Sequence, residues 1–166
     1  MSHAIVSKSE STKITNIADL QAGAVFLGLL FTKKGHYRTW KDDHGGKWVG
    51  DWPLPEGVSA AAMGDNADYV ISVPKDQQLP GQTCYELGIV RDEEAKCWYP
   101  AHDFWGGGNG LEAFVGATTV EGKKVVKSHQ KLMDAYKAAG LARHYRAQGK
   151  NVSVQKQNEK LVLRIQ

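Results

Sequence analysis

Apolar residues along this chain change their spacing several times, and each change marks an element. Residues 3–9, HAIVSKS, open with a short apolar stretch suited to a place in a sheet. From about Asn16 the period becomes helical, with Ile17, Leu20, Ala24 and Leu27 recurring on one face. Asn16 is a good N-cap, and Asp19 falls in the first turn, where a carboxylate favours the helix dipole. Gly23 weakens this helix and Gly28 is its expected end. Between Leu29 and Asp51 the spacing predicts two strands and a hairpin, with His44-Gly45-Gly46 as a turn between Trp40 and Trp48. Trp-Pro-Leu-Pro at 52–55 is extended or turn-like, because each proline biases its predecessor away from helix. Residues 56–68, small and polar, read as a loop.

Tyr69 to Val73 reads as a strand closed by Pro74, and Pro80-Gly81 as a turn. Cys84 to Val90 is the next strand, and after the charged turn DEEAK the chain returns as the short strand Cys97-Trp98-Tyr99. The stretch FWGGGNG, 104–110, breaks the pattern. A long helix is predicted from about Ser128 to Gln148, with Leu132, Tyr136, Ala139 and Arg143 on one line, Met133 and Leu141 flanking it, and Gly149 as its stop. Val152 and Val154 then alternate inward, Asn158-Glu159 turns, and Leu161, Leu163 and Ile165 alternate again. The expected fold is α+β: an antiparallel sheet packed with an N-terminal helix and a long C-terminal helix, ending in a β-hairpin. With no internal repeat and no low-complexity linker, residues 1–166 form one domain.

Two segments carry a resemblance. The chain opens with MSH, an alternating strand and a helix, and closes with LMDAYKAAGLARHYRAQGKNVSVQKQNEKLVLRIQ. That ending resembles an uncharacterised family found in phages, cyanobacteria and plastids, the domain of unknown function 1257. The likeness covers roughly the first 30 and last 40 residues. The family's last hairpin usually turns on Asp-Gly, whereas Asn158-Glu159 stands here, and WVGDWPLPEG and DFWGGGNG do not follow its short pattern. The segment at about 31–125 thus reads as an insertion or a divergent region. The resemblance implies an α+β fold and a phage origin, and it brings no activity and no catalytic residues.

Composition narrows the classes. A 42% hydrophobic share over 166 residues suits a globular core. The formal charge of +3 is mildly basic, below the density of a nucleic-acid module, so nucleic acid is an unlikely partner. The apolar run from Ala22 to Phe31 is too short to span a bilayer, which argues against a membrane partner. The opening MSHAIVSKSEST has no apolar secretory region, so a cytoplasmic location with reduced Cys84 and Cys97 is expected.

The aromatic cluster is the strongest chemical feature. All five tryptophans, Trp40, Trp48, Trp52, Trp98 and Trp105, lie in the central part of the chain, with Lys33, Lys34, His36, Arg38 and Lys41 beside the first of them. Aromatic faces stack on bases, and the cations would meet phosphates. Against this, a tryptophan is more often core packing. The run Gly106 to Gly110 brings backbone amides near a ligand, yet it lacks the Lys and Ser/Thr of a phosphate-binding loop, and a plain turn is the commoner reading. His36, His44 and His102, with Asp42, Asp43, Asp51 and Asp103, lack metal-ligand spacing, so no metal and no cofactor are expected. His102 and Asp103 are adjacent and would point to opposite sides of a strand. The lysines and arginines of the last helix read as a solvated face.

These features favour a non-catalytic protein that holds a small nucleotide-like anion, in a phage setting a sequestered host immune signal. Trp48, Trp52 and Trp105 are the candidate stacking faces; Lys34, His36 and Arg38 the anion contacts; Asp51 and Asn109 the hydrogen-bonding groups. The site is expected at about 33–52 and 98–110. The alternatives are a phosphodiesterase-like nucleotide enzyme using histidine as acid and base, and a protein-interaction module. A homo-oligomer remains open.

Overall fold

The computed structural model describes residues 4–6, 8–45, 64–103, 106–116, 118–120, 124–127, 129–158 and 160–166. The fold is α+β, as the apolar spacing predicts. Five antiparallel strands form one sheet in the order β1-β5-β4-β3-β2: β1 (Ala4–Val6), β2 (Leu30–Thr32), β3 (Ala67–Ser72), β4 (Leu87–Asp92) and β5 (Cys97–Asp103). The segment 31–125 supplies β3, β4 and β5, the three inner strands. Both edge strands are three residues long, which leaves little unpaired backbone to template another chain.

The N-terminal helix α1 (Ile17–Phe26) and the long helix α5 (Gln130–Ala147) pack together and cover one face of the sheet. Asn16 caps α1 by accepting from the Asp19 amide at 3.0 Å. Leu20, Ala24, Leu132 and Met133 join Ile71, Leu87 and Ile89 in the main core. The helices approach closely because Gly23 has no side chain: a Cβ there would stand 2.8 Å from the Tyr136 backbone nitrogen. Arg143 grips Asp19 with two bonds of 2.9 Å, and the Tyr136 hydroxyl accepts from the Thr15 amide at 3.0 Å. The chain ends in the hairpin β8 (Val152–Gln157) and β9 (Lys160–Ile165), which lies against α5 as a separate two-stranded sheet. Among the described residues no helix is long and apolar enough to cross a membrane.

Several details depart from the pattern-based expectation, each for a local reason. Trp40 does not sit in a strand. Residues Trp40–Asp43 form a helical turn, α2, because the Thr39 amide donates to Asp42 Oδ2 at 2.7 Å in a capping box. Strand β4 starts at Leu87 rather than Cys84. Strand β5 runs on through Pro100 to Asp103. Proline is tolerated there because Trp98, two residues earlier, points its polar backbone towards Ile14; the missing N–H of Pro100 faces that same side, where β1 pairs only from Ala101 onward. The buried line of α5 is Leu132, Ala135, Ala138 and Ala142, so Tyr136 and Ala139 are half-buried and Arg143 stands outside. Helix α4 (Leu111–Val115) and the small hairpin β6 (Thr118–Val120) and β7 (Lys124–Lys127) had no clear sequence signal.

Candidate functional site

Strand β5 ends by placing two polar side chains on opposite faces of the sheet. His102 points to the helix side and Asp103 to the other, as pleating demands. Both are fully buried. On the Asp103 face the chain from 33 to 45 lies across the sheet, fastened by backbone bonds from Tyr37 N to Gly64 O (2.7 Å), Ala67 N to Gly35 O (3.1 Å) and Glu86 N to Arg38 O (2.9 Å). Tyr37 packs its ring onto Gly88, where any side chain would collide with it: a Cβ would lie 2.4 Å from the ring. Asp103 Oδ2 accepts the Trp40 amide at 3.1 Å, which anchors α2. Burial pushes the Tyr37 hydroxyl up to about 12, with Asp103 and Asp65 acting the same way. Burial, with Asp103 and Asp43, likewise raises Tyr85. Both phenols therefore stay protonated at neutral pH.

On the opposite face His102 Nδ1 meets His129 Nε2 at 2.7 Å, with the rings edge to face. His129 caps α5 in the left-handed region, at φ 56°. Glu112 Oε1, from α4, lies 3.9 Å from His102 Nε2. One proton must lie between the two imidazoles. If His129 donates it, His102 carries its own proton on Nε2, facing the carboxylate; the reverse would point a lone pair at Glu112. The bonded pair is His102–His129, and the 3.9 Å to Glu112 is longer than a hydrogen bond. Burial pushes His102 down to about 3, against the pull of Asp103. Burial, and then His102 itself, holds His129 well below its usual value. The pair is neutral across the physiological range.

The expected anion contacts are present in the same region, but each is already engaged. Lys34 bridges to both oxygens of Glu86, at 3.0 and 2.8 Å, and Glu86 also accepts the Arg38 amide at 2.9 Å. The Arg38 guanidinium pairs with Asp43. His36 is held at 2.8 Å by Asp65 on Nδ1 and at 2.8 Å by Asp42 on Nε2. Partial burial works to lower His36, but these two carboxylates outweigh it and raise the imidazole above its ordinary value. Two carboxylate partners favour the ring that carries two N–H donors, which is the direction of the shift. His44 stacks on Trp40 with ring centroids 3.7 Å apart.

The glycine stretch forms a left-handed turn, α3 (Gly106–Asn109), with φ of 66° at Gly107, 61° at Gly108 and 52° at Asn109. It is tied to the sheet rather than loose. Gly108 O accepts the Tyr85 amide at 2.9 Å, Asn109 O accepts the Cys84 thiol at 3.0 Å, and the Asn109 amide donates to Thr83 O at 3.3 Å. Burial pushes the Cys84 thiol up, so it is a poor nucleophile. Cys84 and Cys97 are both free and buried. Asn109 therefore closes the turn with its side chain.

The structure brings Lys34 and Arg38 together at Glu86, whereas His36 is held by Asp65 and Asp42 and Asn109 by Thr83 O. Trp48, Asp51, Trp52 and Trp105 lie outside the described residues. His129, Glu112, Tyr85 and Glu86 belong to this region and carried no sequence signal as site residues, whereas Tyr37 is part of the aromatic cluster. His129 and His102 stand 27 positions apart, and only the return of the chain into α5 joins them. Among the described residues no group of three or more His, Cys, Asp or Glu is arranged to hold a metal ion. A scan against protein-family models, a search of curated proteins and a search of solved structures each returned no match for this chain.

Proposed function

We propose that this chain is a small-molecule binding protein whose site lies where residues 33–45, the end of β5 and the turn before α4 meet, and that its ligand is nucleotide-like. One observation carries the reading. Of the six buried polar or charged residues among those described, Thr39 and Asp103 lie there, and His102 with His129 form a second buried pair on the opposite face of the same strand end. Burying polar groups costs stability unless they are bonded, and proteins concentrate such groups at sites that need fixed geometry. The paired state of Lys34, His36 and Arg38 refines the ligand. Their charges are matched by carboxylates, so recognition rests on hydrogen bonds and stacking more than on attraction of a bare phosphate. An exposed pair such as Lys34–Glu86 is worth only about 0–1 kcal/mol, so a ligand phosphate can recruit the lysine cheaply. Trp48, Trp52 and Trp105 would supply the stacking faces, and Asp51 a ribose or base contact. If the family resemblance carries over, sequestration of a host nucleotide signal by a phage protein is the biological form of this reading.

The test is a thermal-shift screen of nucleosides and nucleotides. A ligand at one hundred times its dissociation constant should stabilise the fold by about 2.7 kcal/mol. The affinity should then fall in Trp52→Ala and Arg38→Ala while folding is retained, and the ligand should be recovered intact after denaturation. A screen with no shift, or two variants that bind like wild type, would overturn it. A second reading, a phosphodiesterase-like nucleotide enzyme, is favoured by the bonded pair His102–His129, 2.7 Å apart. Recovery of product in place of ligand, abolished in His102→Gln, would select it.

A further inference from the structure

Between α5 and the closing hairpin runs a groove of about 430 Å³, lined by Leu27, Ala138, Leu141, Leu161 and Leu163 as its floor. Its rim is Lys131, Lys137, Lys156 and Lys160, with Asp134 as the one acid among the lining residues. The rim alone thus carries an excess of three positive charges, equal to the formal charge of the whole chain. Neither wall closes the groove. No residue of β8 or β9 is fully buried, and Leu141 at the mouth is 51% exposed.

The hairpin register explains the mixture. Lys156 pairs with Leu161 and Val154 with Leu163, so a lysine and three aliphatic side chains share one face. On α5, positions 131, 134, 138 and 141 recur at helical spacing, which lays two charged residues and two apolar ones along the same wall.

We propose that this groove docks an acidic amphipathic helix of a protein partner. Charge complementarity selects the partner's sign: carboxylates flanking the apolar stripe would face the exposed Lys137 and Lys160. The floor selects its class. The floor is aliphatic and offers no aromatic face for a base to stack on, which disfavours a single-stranded nucleic acid. A helix laid into such a groove uses anchors at i, i+3 or i+4, and i+7. The wall from Lys131 to Leu141 rises about 15 Å, the length of about three helical turns. This site is independent of the one at the end of β5, and either can exist without the other.

The experiment uses the full chain and a synthetic helical peptide with leucines at i, i+3 and i+7 flanked by glutamates. The controls are a scrambled peptide of the same composition and vesicles of phosphatidylserine and phosphatidylcholine. Amide chemical shifts are followed up to ~1 mM peptide, enough to half-fill a weak site. The expected result is shifts centred on Ala138, Leu141, Leu161 and Leu163, weakening with salt and absent with the scrambled peptide. Lys137→Glu with Lys160→Glu should cut affinity by roughly tenfold or more, because both residues are exposed and reversal turns attraction into repulsion. Leu141→Gln should weaken binding without the charge change, and circular dichroism should show all variants folded. Equal response to the scrambled peptide, binding to vesicles alone, shifts located elsewhere, or no response at all would overturn the proposal.

Discussion

The two ends of this molecule handle charge in opposite ways. At the end of β5, Lys34, His36 and Arg38 each face a carboxylate, and His102, Asp103, His129 and Thr39 are wholly buried. Along the hairpin groove, four lysines crowd one rim against a single aspartate, and every described hairpin residue keeps some exposure. The first region spends its charge on itself. It fixes α2, β5 and the start of α5 relative to one another through bonds that reach across 63 and 27 positions of chain. The second sets lysines around an apolar floor, with Lys131 Nζ donating to Ala113 O at 3.0 Å and Lys137 and Lys160 exposed. The difference teaches that density of basic residues is a poor guide to an anion site: what matters is whether their partners are already inside the fold.

The comparison breaks most easily on packing. Leu132 is fully buried, whereas Leu161 is only half-buried in the hairpin. Leu132→Ala should therefore destabilise the protein by about 2–5 kcal/mol, the usual cost of emptying a core site that cannot collapse. Leu161→Ala should cost about 1 kcal/mol, because much of its surface already meets water. Urea unfolding midpoints of the two variants decide it. Equal losses would mean that the hairpin is as much a part of the core as α5.

A smaller but more selective effect is the response to pH. His102 and His129 have folded values below the unfolded 6.5, so stability is whole above pH 6.5 and is lost as pH falls below it, for His102 down to about 3. In that window the unfolded chain binds protons that the folded chain refuses, and stability should fall by up to about 1.4 kcal/mol per pH unit for each group. His36 acts with the opposite sign. Its folded value lies above 6.5, so its contribution is present below pH 6.5 and fades as pH rises through that folded value. Imidazole NMR signals separate the two: His102 and His129 should not titrate between about pH 5 and 8 while His36 titrates on the alkaline side of 6.5. A buried pair that titrates near 6.5 would dissolve the contrast between a neutral interior and a charged rim.

The apolar periods made most of the architecture legible. Asn16 and Gly28 bracket α1, Gly149 ends α5, and the alternation from Val152 to Ile165 gives the hairpin. What they missed has physical causes. Helix α2 depends on one capping side chain, Asp42, inside a stretch whose tryptophans suggested strand. Strand β5 passes through a proline that only its neighbours' register excuses. The partners of the candidate basic residues were not legible at all. The cluster of Lys34, His36 and Arg38 is visible as a run of basic residues, but Glu86, Asp65 and Asp43 neutralise it from elsewhere in the chain. No spacing rule reports a partner that arrives through tertiary structure.

The smallest effect tests that neutralisation directly. Lys34 is 42% exposed and Glu86 18%, so solvent screens their pair. Lys34→Ala should change stability by only about 0–1 kcal/mol. Glu86→Ala should cost more, about 1–2 kcal/mol, because it also strips the Arg38 amide of its acceptor at 2.9 Å. A double-mutant cycle isolates the ion pair, with an expected coupling of about 0.2–1 kcal/mol. A coupling in that range leaves Lys34 held in place yet easily recruited by an incoming anion. A coupling well above it would mean that the lysine is committed to the fold, and the anion contact would then have to come from another residue.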